Sequence, residues 1–79
     1  MKSITCTNSE KKTVTFCLNG HETDQIIVTA KQSGEYWFHI GMYRTLKNAK
    51  KQAVRRMQEM GYTLNQQELD ALTIDSLLS

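Results

Sequence analysis

Apolar and polar positions alternate with a period of two through the first half of the chain. Val14, Phe16 and Leu18 share one side and Thr13, Thr15 and Cys17 the other; Ile26, Val28 and Ala30 repeat the pattern, followed by Tyr36, Phe38 and Ile40. Such segments, rich in Val, Ile, Thr and aromatic residues, are half-buried strands. Ile4 and Cys6 extend the pattern towards the amino terminus, and the separators "NSEKK", "NGHETD" and "KQSG" carry turn chemistry. The pattern predicts strands near 2–7, 12–18, 25–31 and 35–41 in an antiparallel meander. The sheet has three or four strands, according to whether 2–7 joins it.

Asn19-Gly20 invites a two-residue hairpin. A tight turn there would put Thr23 and Gln25 on the side of Val14 and Phe16 and turn Ile26 and Val28 away from the core. A longer loop through Asp24, or a bulge, restores the register.

At Thr45 the period changes. Leu46, Ala49, Ala53, Met57 and Met60 recur at spacings of three and four, one apolar helical stripe. Thr45 is placed to cap the amino-terminal end and Gly61 to stop the helix. A helix over 45–60 is about 24 Å long. Asn65 with Glu68 three residues later has the form of a capping box, predicting a short second helix over 66–77 with Leu69, Leu72 and Leu77 inward. The sheet has one apolar face and the long helix one apolar stripe, so they pack together as a two-layer α+β domain spanning 1–79. If Tyr36, Phe38 and Ile40 face the helix, Trp37 and His39 lie on the other side of the sheet with Thr13, Thr15, Cys17, Ile27 and Thr29.

Charge changes this picture more than composition does. The net charge is only +2, but residues 1–43 sum to zero, residues 44–56 carry six cations and no acid, and residues 57–79 carry four acids and no cation. The cations are Arg44, Lys47, Lys50, Lys51, Arg55 and Arg56, with Lys47, Lys51 and Arg55 four apart along one helical edge. Clustered cations neutralise phosphates. Lys and Arg are also ordinary residues of a solvated helix, although a face built for stability would interleave Glu.

Trp37 and His39 are the second candidate. An outward Trp on an open sheet is a stacking surface for bases or an anchor for a protein partner. With the opposite parity, or with the second helix over that face, Trp37 is core. Cys6, Cys17, His21 and His39 match no paired zinc-ligand spacing, and Cys6 and Cys17 fall on opposite parities, so neither a metal nor a disulfide is expected. The chain has no Gly-rich phosphate loop, nucleophile elbow or paired carboxylates near a His, so no enzyme and no cofactor is expected. No apolar run has the length of a signal peptide or membrane span, which makes a cytoplasmic protein the expectation.

The run "YWFHIG…YRTLKNAKKQA" resembles the end of the small arm-type DNA-binding domain of tyrosine recombinases, with Tyr43, Thr45, Lys47 and Ala49 in the places where that domain's last strand leads into its helix. The resemblance implies a sheet that meets DNA and a helix that backs it, which would give Lys31, Trp37 and His39 more weight than the helix cations. The run "IGMYRTLKNAKKQAVRRMQEMGYTL" is also similar to the sporulation-related repeat that binds cell-wall glycan, through Gly41, Tyr43, Ala49, Met57 and Gly61. The expectation is a non-enzymatic binding module, a monomer or weak dimer, that uses Lys31, Trp37, His39, Arg44, Lys47, Lys50, Lys51 and Arg55 to bind nucleic acid. The alternative partner is an acidic protein surface, met by an accessory or inhibitor protein of a mobile element or phage.

Overall fold

The computed structural model of the chain describes residues 1–19 and 25–78. Four strands, β1 (Lys2–Cys6), β2 (Ser9–Leu18), β3 (Ile26–Gln32) and β4 (Glu35–Tyr43), precede three helices, α1 (Leu46–Glu59), α2 (Gln66–Ala71) and α3 (Ile74–Leu78). The strands form one antiparallel sheet in the order β1-β2-β3-β4. The class is α+β, and β1 is a full member of the sheet.

The β2–β3 register is the one that parity demands. Phe16 lies opposite Val28, Val14 opposite Ala30 and Leu18 opposite Ile26. The Asn19 amide donates to the Gln25 carbonyl at 3.0 Å, carrying the ladder one step further. The connection is therefore longer than a tight Asn19-Gly20 turn would allow; the residues it spans, including His21 and Asp24, lie outside the described ones. The β3–β4 turn is the two-residue kind, with positive φ at both Ser33 (56°) and Gly34 (83°). That combination matches the right-handed twist of the flanking strands.

One buried cluster joins Ile4, Val14, Phe16, Leu18, Ile26, Val28 and Ala30 from the sheet to Ala49, Ala53 and Met57 of α1 and to Leu69, Leu72 and Leu77 beyond it. All three helices therefore cover the same face of the sheet. α1 lies over β3 and β4, α2 approaches β1 and α3 approaches β2. The alanines let α1 sit close to the strands, and Met57 fills the space beside them. Met60, expected in the stripe, is 42% exposed because the helix ends before it.

α1 begins on Thr45, whose hydroxyl accepts from the Asn48 amide at 3.2 Å. It ends in a Schellman motif: the Gly61 amide donates to the Gln58 carbonyl at 3.0 Å, the Tyr62 amide to the Met57 carbonyl at 2.9 Å, and Gly61 takes φ +90°. The chain then lays residues 63–65 along the outer edge of β1. The Thr7 amide donates to Thr63 O at 2.7 Å and the Asn65 amide to Thr5 O at 2.9 Å. That edge is thereby paired.

The capping box forms by half. Asn65 Oδ1 accepts from the Glu68 amide at 3.0 Å. The Asn65 amide is already committed to Thr5, so the Glu68 carboxylate turns to β1 instead, accepting from the Thr5 amide at 2.8 Å and the Thr5 hydroxyl at 2.9 Å. The single helix expected over 66–77 is two. Leu72 is extended, with ψ 120°. Thr73 and Ser76 then cap α3 reciprocally: Thr73 Oγ1 accepts from the Ser76 amide at 3.1 Å and Ser76 Oγ from the Thr73 amide at 3.0 Å.

Candidate nucleic-acid interface

Strand β4 carries most of the candidate chemistry, and two bulges decide which way it points. Tyr36 lies opposite Lys31, but Phe38 is next, opposite Ala30, leaving Trp37 as an extra residue. His39 lies opposite Thr29, and Gly41 is next, opposite Val28, leaving Ile40 as a second extra. Each bulge resets the alternation. Phe38, Gly41 and Tyr43 fall on the core side, opposite Ala30, Val28 and Ile26; Tyr36, His39 and Met42 fall on the outward side, opposite Lys31, Thr29 and Ile27.

Trp37 and Tyr36 therefore exchange the places expected from strict alternation. Trp37 packs against the core, edge-on to Phe38 at 5.0 Å and to Tyr62 at 6.1 Å between ring centroids. Lys12 Nζ sits 5.0 Å from the Trp37 ring and 5.8 Å from that of Tyr62. Trp37 is thus roofed by Tyr62 on the helix side and is not an open stacking surface. Tyr36 is 68% exposed. His39 is exposed on the outward side, as expected, and Lys31 is half-buried beside Tyr36.

Gly41 has a specific task here. A Cβ at this position would collide with the Tyr43 hydroxyl and ring. The missing side chain lets the Tyr43 ring fold back over the strand, where it packs against the core with Ile40. A glycine inside a strand is a mark of a bulge or of close approach, and this one serves both.

No described helix covers the outward face, which is rich in hydroxyls. In the paired register it presents Ser3 and Thr5 from β1, Thr13, Thr15 and Cys17 from β2, Ile27, Thr29 and Lys31 from β3, and Tyr36, His39 and Met42 from β4. These positions include no carboxylate. Glu68 is held on Thr5 at the β1 margin, at the far side of the sheet from β4, while the exposed Glu35 opens β4 beside Tyr36 on the other parity, opposite Gln32. Thr15 is buried within the face and shares a hydrogen bond with Ser3 at 3.1 Å between their hydroxyl oxygens.

The helix cations belong to another surface. Arg44, Lys47, Lys51 and Arg55 are exposed and Lys50 is half-buried, but α1 lies on the covered side, so Lys47, Lys50, Lys51 and Arg55 do not form one site with the Tyr36–His39–Met42 row; Arg44 lies in the link between β4 and α1. Arg55 and Arg56 both approach Glu59, at 3.7 and 3.8 Å, all three side chains being more than half exposed. Such pairs contribute only about 0.2–1 kcal/mol. Arg56 also lies 5.7 Å from the Phe38 ring. Among the described residues the cations of the amino-terminal half have no ion pair, and the first turn holds Lys47 and no acid. The helix dipole favours anions at that end and cations at the other. The basic end of α1 is therefore charged against its own dipole, which a purely stabilising pattern would avoid.

Between β4 and α1 an open pocket of about 240 Å³ is lined by Ile40, Tyr43, Gln52, Arg55, Arg56 and Glu59. Ligand pockets for small molecules run from about 300 to 1,000 Å³ with apolar walls, so this one is small and polar for that use. Among the described residues no three His, Cys, Asp or Glu side chains gather in a metal-binding group. Cys6 is buried in the core while Cys17 lies opposite Ile27 on the outward face, and both are free thiols. Burial pushes the Cys6 thiol up from its ordinary value of 9.0, with the Lys12 charge opposing. No helix among the described residues is long and apolar enough to cross a membrane.

Strict alternation in the sequence places His39 outward, as the structure does, but puts Tyr36 on the core side, whereas the structure turns Tyr36 and Met42 outward. The two bulges were the obstacle, and Gly41, interrupting an apolar strand, was the one signal in the chain that pointed to them. No family model, no curated protein and no solved structure matches the chain.

Proposed function

We propose that the protein is a small non-enzymatic binding module whose ligand is nucleic acid, contacted through the outward face of β3 and β4. One observation carries this reading: on a sheet face that no described helix covers and whose described outward positions hold no carboxylate, Tyr36 stands exposed beside Lys31, with His39 further along the same strand. Planar side chains next to a cation, over a floor of Ser and Thr hydroxyls, offer bases a stacking surface and phosphates their donors. The cations of α1, placed against the helix dipole, raise the positive potential that draws a polyanion in. The site is then Lys31, Tyr36 and His39, with Arg44, Lys47, Lys50, Lys51 and Arg55 acting at longer range.

A second reading assigns those helix cations to an acidic protein surface. It is favoured by the same charge placement and by the exposure of Lys47 and Lys51. Salt separates the two. Phosphate contacts release counterions, so affinity falls linearly on a log–log plot against salt, whereas a protein contact anchored on side-chain packing loses much less. The experiment is fluorescence anisotropy of labelled 12-nucleotide DNA and RNA against the protein at several salt concentrations. Saturable binding with a steep negative slope is expected. No binding at low salt would remove the nucleic-acid reading.

A further inference from the structure

Resting on that nucleic-acid reading, we propose that the ligand is a single strand, laid along β4 with unpaired bases stacked on Tyr36 and His39. The two bulges are what make this surface. Regular alternation would project every second residue; here the outward residues are Tyr36, His39 and Met42, three apart, with Trp37 and Ile40 as the extra residues between them. All three are exposed, Tyr36 at 68% and Met42 at 54%, whereas their cross-strand partners Lys31, Thr29 and Ile27 are half-buried. A row of exposed side chains therefore runs along the edge strand β4 beside a half-buried row on β3. Two of its members have flat π-faces, and the third is a polarizable thioether suited to an apolar contact. Lys31 is the cross-strand partner of Tyr36, so its cation is available to the backbone of a nucleotide stacked on that ring.

Width argues against a duplex. Strands lie about 4.8 Å apart, so four of them span about 14 Å between the outer axes before side chains are added, against a major groove about 12 Å wide. A four-stranded face laid broadside is wider than that groove, and paired bases present no π-face to Tyr36. Unpaired bases splay out and stack on Tyr and His rings. Among the described residues no outward position of β3 or β4 carries a carboxylate, the exposed Glu35 at the start of β4 falling on the other parity opposite Gln32. Protein-partner faces of this size, by contrast, are built around an apolar centre, and the centre of this face is Thr13, Thr15 and Thr29.

The test compares labelled 12-nucleotide single strands (oligo-dT, oligo-dA and oligo-rU) with a duplex of mixed sequence, at one low salt concentration. Single strands should bind at least tenfold more tightly than the duplex. Tyr36→Ala and His39→Ala should each lower single-strand affinity about 5- to 150-fold, the equivalent of one base-stacking contact, and Tyr36→Phe should retain it. The exposure of Tyr36 keeps the variant folded, which its circular dichroism checks. Equal or tighter duplex binding, or full affinity in Tyr36→Ala, overturns the single-strand assignment while leaving nucleic-acid binding in place. Binding to none of the probes overturns both.

Discussion

Tyr62 meets Trp37 edge-on, ring centroids 6.1 Å apart, because Gly61 between it and α1 takes a left-handed turn. The Schellman cap at Met57–Tyr62 therefore both ends the helix and delivers the roof of the only tryptophan. The link from sequence to packing runs through a single glycine. A Cβ at Gly61 would meet no atom within 4 Å, so the penalty for adding one is conformational alone. Gly61→Ala should cost about 1–2 kcal/mol, the strain of a left-handed non-glycine residue. It should also shift Trp37 emission to longer wavelength as Tyr62 lifts. Urea unfolding followed by fluorescence measures both, and an unchanged midpoint would show that the cap does not hold Tyr62 in place.

The neighbours Tyr36 and Trp37 should behave as opposites. Trp37→Ala removes a ring that touches Phe38, Tyr62 and Lys12, and should cost about 3 kcal/mol, the low end for a large aromatic because it is only partly buried. That is a large share of the roughly 5 kcal/mol available to a domain this small. Tyr36→Ala, on the outward side, should change stability by no more than about 0.5 kcal/mol. Chemical denaturation of the two variants decides it. The reverse order would mean that the bulge at Trp37 does not exist in solution.

This pair also marks how far the sequence could be read. Val14, Phe16 and Leu18 against Ile26, Val28 and Ala30 announce their register, because burial of one face penalises any one-residue slip on every side chain at once. The Leu46–Met57 stripe, with Thr45 and Gly61 at its ends, announces α1 for similar reasons. A bulge adds one residue without changing composition, so the exchange of Tyr36 and Trp37 had no comparable signal beyond Gly41. The break at Leu72–Thr73 was written in the Thr73–Ser76 cap, but two short helices and one longer one share the same leucine spacing. The edge pairing of 63–65 rests on backbone groups alone, which no side-chain pattern encodes. Which face of β4 each aromatic residue takes was therefore legible only in part.

Cys6 should make stability fall at alkaline pH. Its thiol is pushed above the ordinary value of 9.0, first by burial, with Lys12 opposing. Below that value both folded and unfolded chains hold the proton, and the contribution of Cys6 is fully present. Above it the unfolded chain releases the proton first, so stability declines as pH rises towards the folded value. Lys and Tyr residues titrate in the same range, so the measurement is a difference: urea midpoints of the parent and Cys6→Ala between pH 7 and 10.5. The gap between them should narrow as pH rises. A constant gap would show that Cys6 ionises alike in both states.

Lys47 separates charge placed for stability from charge placed for a ligand. It lies in the first turn of α1, where no acid stands and where the helix dipole disfavours a cation. Lys47→Glu exchanges an unfavourable end charge for a favourable one, and should stabilise the fold by about 0.5–1 kcal/mol at low ionic strength. The side chain is exposed, so no packing is lost. In the same variant, nucleic-acid affinity should fall by less than in Tyr36→Ala, and the loss should shrink as salt is added, since Lys47 acts through the long-range field and not by contact. Thermal unfolding and anisotropy on one preparation give both numbers. A larger loss of binding than in Tyr36→Ala would move the contact surface from the sheet to the helix edge. A loss of stability would mean that Lys47 makes an interaction stronger than its repulsion from the helix end.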